Sequence, residues 1–268
     1  MPGSELAAGA DRQTLAAALR EAGAIALKTF RTPVKTWFKA QASPVSEADI
    51  AVDEFLRARL AGARSGCGWL SEESAQDRAS AAARLLWIVD PIDGTRAYLA
   101  GRPDWSISAA LVADGRPVLA AVLAPVSDEL FVAAAGGGAT RNGSPIAASR
   151  GSAFADVRVA GPKRLVQALA AIESRITVQP RIGSLALRLA RVAEGALDVA
   201  FAGGNSHDWD LAAADLLVHE AGGAMTDLAG RGLTYNRPDL SHGTLVAAGA
   251  ARHAALVALT REWRGEFG

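Results

Sequence analysis

The chain has 268 residues, 50% of them hydrophobic and only 6% aromatic. That is the composition of a globular protein rich in small side chains, long enough for one large domain or two joined halves, and it excludes a disordered or fibrous chain. Lysine plus arginine balance aspartate plus glutamate at 28 each, so no whole-molecule field draws the protein to a nucleic-acid polymer or a membrane surface.

The first residues, MPGSELAAGADRQ, place Glu5 and Asp11 early and lack a basic stretch with an apolar core, so no secretory signal is expected. Residues 12–31 put Leu15, Leu19, Ala22, Ala26 and Phe30 at helical spacing; Ile25 widens the stripe and Leu27 falls beside it. SEADIAVDEFLRARLAG predicts a second helix, with Ser46 as N-cap, acids in the first turn, and Ile50, Phe55 and Leu56 as apolar contacts. Cys67 follows; as the one cysteine it precludes an intrachain disulfide, suits a reducing cytoplasm, and is expected to be inert. GWLSEES reads as a short strand running into a polar loop, RLLWIVD as a strand, and GTRAYLAG as a short helical turn closed by glycine.

Residues 105–134 read as a series of strands, punctuated by Asp114-Gly115 and Pro125. GGGATRNGSPI lacks the Lys-Ser/Thr ending of a phosphate loop, and Asn142-Gly143 is better explained as a hairpin turn. In the second half, VRVAG predicts a strand, and GSLALRLARVAEGALDVAF predicts a helix ended near Gly195 and then a strand. DWDLAAADLLVHEAGG predicts a helix stopped at Gly222-Gly223, GTLVAAG a strand, and ARHAALVALTREWRG a closing helix. Strands in the middle and helices at both ends predict layered sheets with helices between and around them. No apolar run reaches the roughly 20 residues of a bilayer span, and a cytoplasmic location is expected.

Four acidic spots fall at element boundaries: Asp49, Glu72 with Glu73, Asp90 with Asp93, and Asp210. Asp49 and Asp210 also suit helix first turns, and Glu72 and Glu73 a solvated loop. Asp90 and Asp93 resist such explanations. They end an apolar strand, which does not tolerate ionised carboxylates without a partner. Pro91 fixes the backbone between them, Gly94 lets a ligand approach closely, and Thr95 adds a hydroxyl. The N–H groups of a starting helix suit an anion there. Carboxylates beside an anion site call for hard cations, magnesium rather than zinc, and the four histidines show no zinc-ligand spacing.

These residues carry a resemblance. DPIDGT at 90–95 resembles the signature of the inositol monophosphatase superfamily, which includes the CysQ-type 3′(2′),5′-bisphosphate nucleotidases. SPVSEAD at 43–49, SEES at 71–74 and WDLAAADLLVHEAGG at 209–223 are similar to three further elements, in the family's order. The resemblance spans the chain from about the first helix to its end. It implies an α+β fold, a layered α-β-α-β-α sandwich of the inositol monophosphatase and sugar phosphatase type. A single phosphatase domain over 1–268 is expected, with a metal-binding half to about 150 and a second half from about 151.

The implied activity is Mg2+-dependent phosphomonoester hydrolysis, commonly inhibited by lithium. Glu72, Asp90 and the carbonyl of Ile92 would hold one ion; Asp90, Asp93 and Asp210 a second; a third would lie near Glu72. Glu72 and Thr95 would orient the attacking water, with Asp49 supporting Thr95. Asp93, Gly94, Thr95, Lys39 and His207 are the expected substrate and phosphate contacts, Lys39 at the rim. The expected partner is a small phosphorylated metabolite; family members include dimers and monomers, which leaves a homodimer open.

The chain departs from the family pattern at Gln41-Ala42, where DG or DN is frequent, and at Ser46, where threonine is usual. Gly203 stands where inositol-specific members carry a sugar-contacting glutamate. With the wording of SPVSEAD and WLSEES, this leans the reading towards 3′-phosphoadenosine 5′-phosphate, with inositol 1-phosphate and fructose 1,6-bisphosphate as alternatives. A haloacid-dehalogenase-type phosphatase needs a DxD pair, whereas Asp90 and Asp93 are three apart. A non-enzymatic phosphate-ligand-binding protein on the same scaffold would be expected to lack a metal acid, and none is missing.

Overall fold

The structure, a computed structural model, describes residues 9–38, 44–63, 66–74 and 83–262. Helix α1 (Gly9–Thr29) buries Leu15, Ala18, Leu19, Ala22 and Ala26 along one stripe and leaves Leu27 40% exposed, as its spacing predicts. An antiparallel hairpin, β1 (Thr36–Phe38) and β2 (Pro44–Ser46), leads into α2 (Glu47–Ala63). The buried stripe of α2 is Ala48, Val52, Leu56 and Leu60, with Ile50 and Phe55 half-buried beside it.

Strand β3 (Gly68–Ser71) runs parallel to β4 (Leu85–Asp93), which ends in the short helix α3 (Thr95–Leu99). Then β5 (Ser106–Ala113), β6 (Arg116–Ala124), β7 (Glu129–Ala134), β8 (Ala139–Arg141) and β9 (Ser144–Pro145) follow, each antiparallel to the one before. The result is a seven-stranded sheet in chain order. Asn142 and Gly143, both at positive φ, form the tight turn between β8 and β9, so the glycine-rich segment is a hairpin and not a phosphate loop.

Alternation explains why β4 is apolar throughout. Trp87 and Val89 join the core under α1 and α2, while Leu86 and Ile88 join the core on the opposite face. A strand covered on both sides shows a continuous apolar run rather than a polar alternation.

The second half builds a smaller sheet. Strands β10 (Arg158–Ala160), β11 (Thr177–Val178) and β12 (Val199–Ala202) are separated by α4 (Lys163–Ile172) and α5 (Leu185–Ala193). The bridge strand β13 (Ser206–His207) precedes α6 (Asp208–Glu220), followed by β14 (Gly223–Asp227), β15 (Ser241–His242), β16 (Leu245–Gly249) and α7 (Ala250–Glu262). The five-stranded order is β11-β10-β12-β16-β14, with β13 and β15 paired apart. Helices α5 and α6 lie between the sheets and touch both. Helix α4 packs on the outer face, where Leu165, Val166 and Leu169 meet Val159, Val199 and Phe201, and α7 adds Leu256. The layers therefore run α-β-α-β-α, an α+β sandwich as expected. Among the described residues no helix is long and apolar enough to cross a membrane.

Candidate active site

The end of β4 is irregular. Asp90 pairs with Ser108 and Asp93 with Ser106, so three steps on β4 face two on β5. Such a bulge bends the strand and re-aims its side chains, and here both carboxylates turn to one side of the sheet's end. Gly94 then takes φ 92, ψ 37, and a Cβ at this position would lie 3.0 Å from the backbone nitrogen of Ser184. Glycine is required for both reasons.

Asp93 is seated on the start of α5. Its Oδ2 accepts the Ser184 hydroxyl at 2.6 Å and the Ala186 N–H at 2.6 Å. Ser184 is the N-cap of α5, accepting the Leu187 N–H at 2.9 Å, and its oxygen lies 2.8 Å from that of buried Ser106. Asp210 comes from α6, where it closes a capping box by accepting the His207 N–H at 2.6 Å. Its first-turn role and its place in the cluster coincide. Carboxylate atoms of Asp90, Asp93 and Asp210 all lie within 4.8 Å of one another.

Glu72 closes the same cleft from the end of β3, its N–H bonded to the Val89 carbonyl at 3.3 Å. Asp49 sits behind. Its Oδ2 accepts the N–H and hydroxyl of Ser46 at 2.8 and 2.6 Å, and its Oδ1 lies 3.2 Å from the Thr95 hydroxyl. That hydroxyl is also 3.0 Å from the Ile92 carbonyl. The cleft has a volume of about 440 Å³. Acids form its floor, Ile92, Gly94 and Thr95 one wall, and Arg96, Arg102 and Arg181 line it as well. Arg102 is held in an ion pair by Asp104, which also accepts the Gly183 N–H at 2.5 Å.

Crowding carboxylates in a buried floor raises their proton affinity. Burial, then the charges of Glu72, Asp93 and Asp210, pushes Asp90 well above the usual carboxylate range. Burial and the charge of Asp93 do the same to Asp210. Burial lifts Asp93 to about 6 against the hydrogen bonds from Ser184 and Ala186, and lifts Asp49 to about 6 against those from Ser46. Among the described residues no cationic side chain pairs with Asp90, and Asp90 Oδ2 and Asp210 Oδ1 have no protein donor. A donor set of oxygen alone, with unneutralised charge, fits a hard divalent cation such as Mg2+.

One expected substrate contact, His207, stands apart from this lining, although its Nδ1 lies 3.9 Å from Asp210 Oδ2. His207 is the N-cap of α6; its ring stacks on Trp209 with centroids 4.7 Å apart, and it is not among the residues lining the cleft. Lys39 falls outside the described residues, as do Gln41 and Ala42. Ser184, which seats Asp93, was not a predicted site residue. A serine before an apolar helix announces an N-cap, but nothing local announces a partner 91 residues away.

The sequence profile of the inositol monophosphatase family matches residues 10–264. The chain belongs to the inositol monophosphatase family. It is accordingly a phosphoric monoester hydrolase, in a family that is Mg2+-dependent in general. It is 37% identical over 204 residues to an inositol-1-monophosphatase of Rhizobium meliloti (strain 1021), covering 72% of this chain and 76% of that protein. It is 30% identical over 221 residues to the 3′(2′),5′-bisphosphate nucleotidase CysQ of Aggregatibacter actinomycetemcomitans, covering 78% and 81%. The extragenic suppressor protein suhB of Bartonella henselae superimposes with a TM-score of 0.82 at 29% identity, over 93% of this chain and 98% of that one. These likenesses do not favour the nucleotidase branch of the inositol monophosphatase family, towards which the motif wording leans.

Proposed function

We propose that this member of the family hydrolyses a phosphomonoester carrying a second anionic group, with 3′-phosphoadenosine 5′-phosphate as the best-fitting substrate. The observation behind this reading is Arg188. It is half-buried on α5, burial disfavours its charge, and its Nε is buried without a hydrogen-bond partner. It lines a cavity of about 700 Å³ with Lys163, Gln167, Gln179 and Arg181, and Arg181 also lines the acidic cleft. The neighbouring acid is Asp93, whose charge favours that of Arg188 but which also serves the Ser184 and Ala186 donors, and a second phosphate entering beside the first would supply a further anion. Pro162, Val166 and Val178 give the same cavity apolar walls, which suit a nucleobase better than a ring of hydroxyl groups.

Glu72, Asp90, Asp93, Asp210 and the Ile92 carbonyl would hold two or three Mg2+ ions. Bound there, the ions would supply charge neutralisation at the phosphate oxygens and a lowered pKa for water. The remaining work falls to the chain. The Thr95 hydroxyl has one proton and two acceptors, Asp49 and the Ile92 carbonyl, so its lone pairs remain to accept a hydrogen from the attacking water. Glu72 accepts the other hydrogen and so fixes the water's direction. The N–H groups at Gly94 and Thr95 receive the phosphate, and Arg96, Arg102 and Arg181 favour its approach.

Inositol 1-phosphate is the second reading, favoured by the names of relatives at 37% and 33% identity. The test compares kcat/KM for 3′-phosphoadenosine 5′-phosphate, inositol 1-phosphate and fructose 1,6-bisphosphate, in the native chain and in Arg188→Ala. The expected outcome is preference for the nucleotide, reduced at least about tenfold by the substitution through KM. A preference for inositol 1-phosphate that Arg188→Ala leaves unchanged overturns it.

A further inference from the structure

Asp208 is a buried carboxyl group that neither lines the cleft nor caps α6. It is the first residue of the helix, two before Asp210, and its side chain is 0% exposed. The capping box is already complete between His207 and Asp210. Both Asp208 oxygens are instead taken by the segment between β14 and β16. His242 Nε2 lies 2.7 Å from Oδ1, and the Asn236 N–H donates to Oδ2 at 2.5 Å. The Asp208 N–H in turn donates to the Leu240 carbonyl at 3.1 Å.

This segment is a strap across α6 with its own supports. Ser206 pairs with His242 and His207 with Ser241 in the β13–β15 ladder. Two turns along α6, Asp215 accepts the Tyr235 hydroxyl at 2.9 Å. The Tyr235 ring lies 5.6 Å from that of His242, and its N–H bonds to Gly115 in the β5–β6 turn of the large sheet. The strap thus ties α6 to the sheet that carries Asp90 and Asp93.

We infer that Asp208 and His242 form a positioning pair that sets the first turn of α6, and with it Asp210, against the carboxylates of β4. This rests on the proposed role of Asp210 in holding a cation. The physical need is geometric. Mg2+ demands near-octahedral oxygens at about 2.0–2.1 Å, so a slide or rotation of one helical turn that is harmless to packing is harmful to coordination. A hydrogen-bonded carboxylate in the same turn as the ligand resists both motions. It lies one residue from the Trp209 carbonyl, which accepts the Ser108 hydroxyl of β5 at 3.0 Å and closes the link from the other side.

The test measures Mn2+ binding to the metal-free protein by electron paramagnetic resonance, with thermal melts and near-ultraviolet circular dichroism as fold controls. His242→Ala is expected to weaken Mn2+ binding about tenfold or more, the range found for residues that orient metal ligands. It should raise the Mg2+ concentration for half-maximal rate while leaving the substrate KM at saturating Mg2+ within about twofold. His242→Gln, which keeps a donor near Oδ1, should recover most of the affinity. Tyr235→Phe releases the strap lower on α6 and should lower the melting temperature without weakening Mn2+ binding. Native Mn2+ affinity in folded His242→Ala overturns the inference, as does an equal loss in Tyr235→Phe. If His242→Ala does not fold, Asp208→Asn is measured in its place with the same thresholds. Native chain that binds no Mn2+, or Asp210→Asn that binds it unchanged, overturns the metal reading of the cluster instead.

Discussion

Ser184 shows how one hydroxyl serves both layers of the molecule. It caps α5, and it donates to Asp93 on β4, while Ser106 of β5 donates to it in turn. Ser184→Ala would leave a buried carboxylate short of a donor, a loss of about 1–3 kcal/mol. Because the lost hydrogen bond favours the charged form of Asp93, its proton affinity should climb and its hold on a cation weaken. Urea unfolding and a Mg2+ titration of phosphate release check the two halves of that prediction. Asp90 tests the opposite balance. Its neighbours Glu72, Asp93 and Asp210 all disfavour its charge. Asp90→Asn should therefore abolish Mg2+-dependent phosphate release and yet leave the metal-free melting temperature unchanged or higher, since one repulsive charge has gone. A marked fall in that melting temperature would show that the Ile92 N–H bond to Asp90 outweighs the repulsion of the neighbouring acids. The four acids were legible in the sequence because each stands at an element boundary, where a charge needs a reason. Ser184, Arg188 and Asp208 were not, because their meaning lies in partners that only the fold brings close.

At the level of elements, the strongly patterned segments were the readable ones. The stripe of α1 and the two-sided apolar run of β4 follow directly from periods of 3.6 and 2. Helix α4 was not predicted, although Leu165, Val166, Ala168 and Leu169 share its buried face. It is ten residues long, opens at Pro162 without a side-chain cap, and follows the three-residue strand β10, so neither end is announced. The bulge between Asp90 and Asp93 was equally hidden: it depends on the register with β5. Helix α5 has a second anchor remote from the cleft. Arg191 reaches both oxygens of Glu129 on β7, at 2.8 and 2.5 Å, and also Glu194 at 2.6 Å. The Arg191 hydrogen bond holds the Glu129 carboxyl down at about 2, below the usual 4.5. A depressed folded pKa means stability that is present above 4.5 and lost as pH falls towards 2. Glu129→Gln should thus cost about 1–2 kcal/mol at pH 7, with the difference from the native chain shrinking at pH 3. Denaturant unfolding at the two pH values measures it. An equal loss at both would assign the effect to packing rather than charge.

For the whole molecule, formal charges cancel, yet the distribution is uneven: an acid floor with arginines lining the same cleft. The floor sets a pH dependence of opposite sign to that of Glu129. Asp49 and Asp93 have folded pKa values of about 6 against an ordinary value of 3.8, and Asp90 and Asp210 shift in the same direction. Burial is the largest cause in all four. Above the ordinary carboxylate value the folded, metal-free protein binds more protons than the unfolded chain, so its stability falls as pH rises from about 4 through about 6. A divalent cation reverses this, because it binds the ionised floor of the native state and has no such site in the unfolded chain. The melting temperature in a chelator should therefore be higher at pH 5 than at pH 7.5. The increase produced by millimolar Mg2+ should be large at pH 7.5 and fade as pH drops below about 6, where protons compete for the same oxygens. Replacing Mg2+ with K+ at equal ionic strength separates site binding from screening. A Mg2+ effect that is equal at both pH values, or matched by K+, would mean that the buried acids are neutralised by something other than a bound ion.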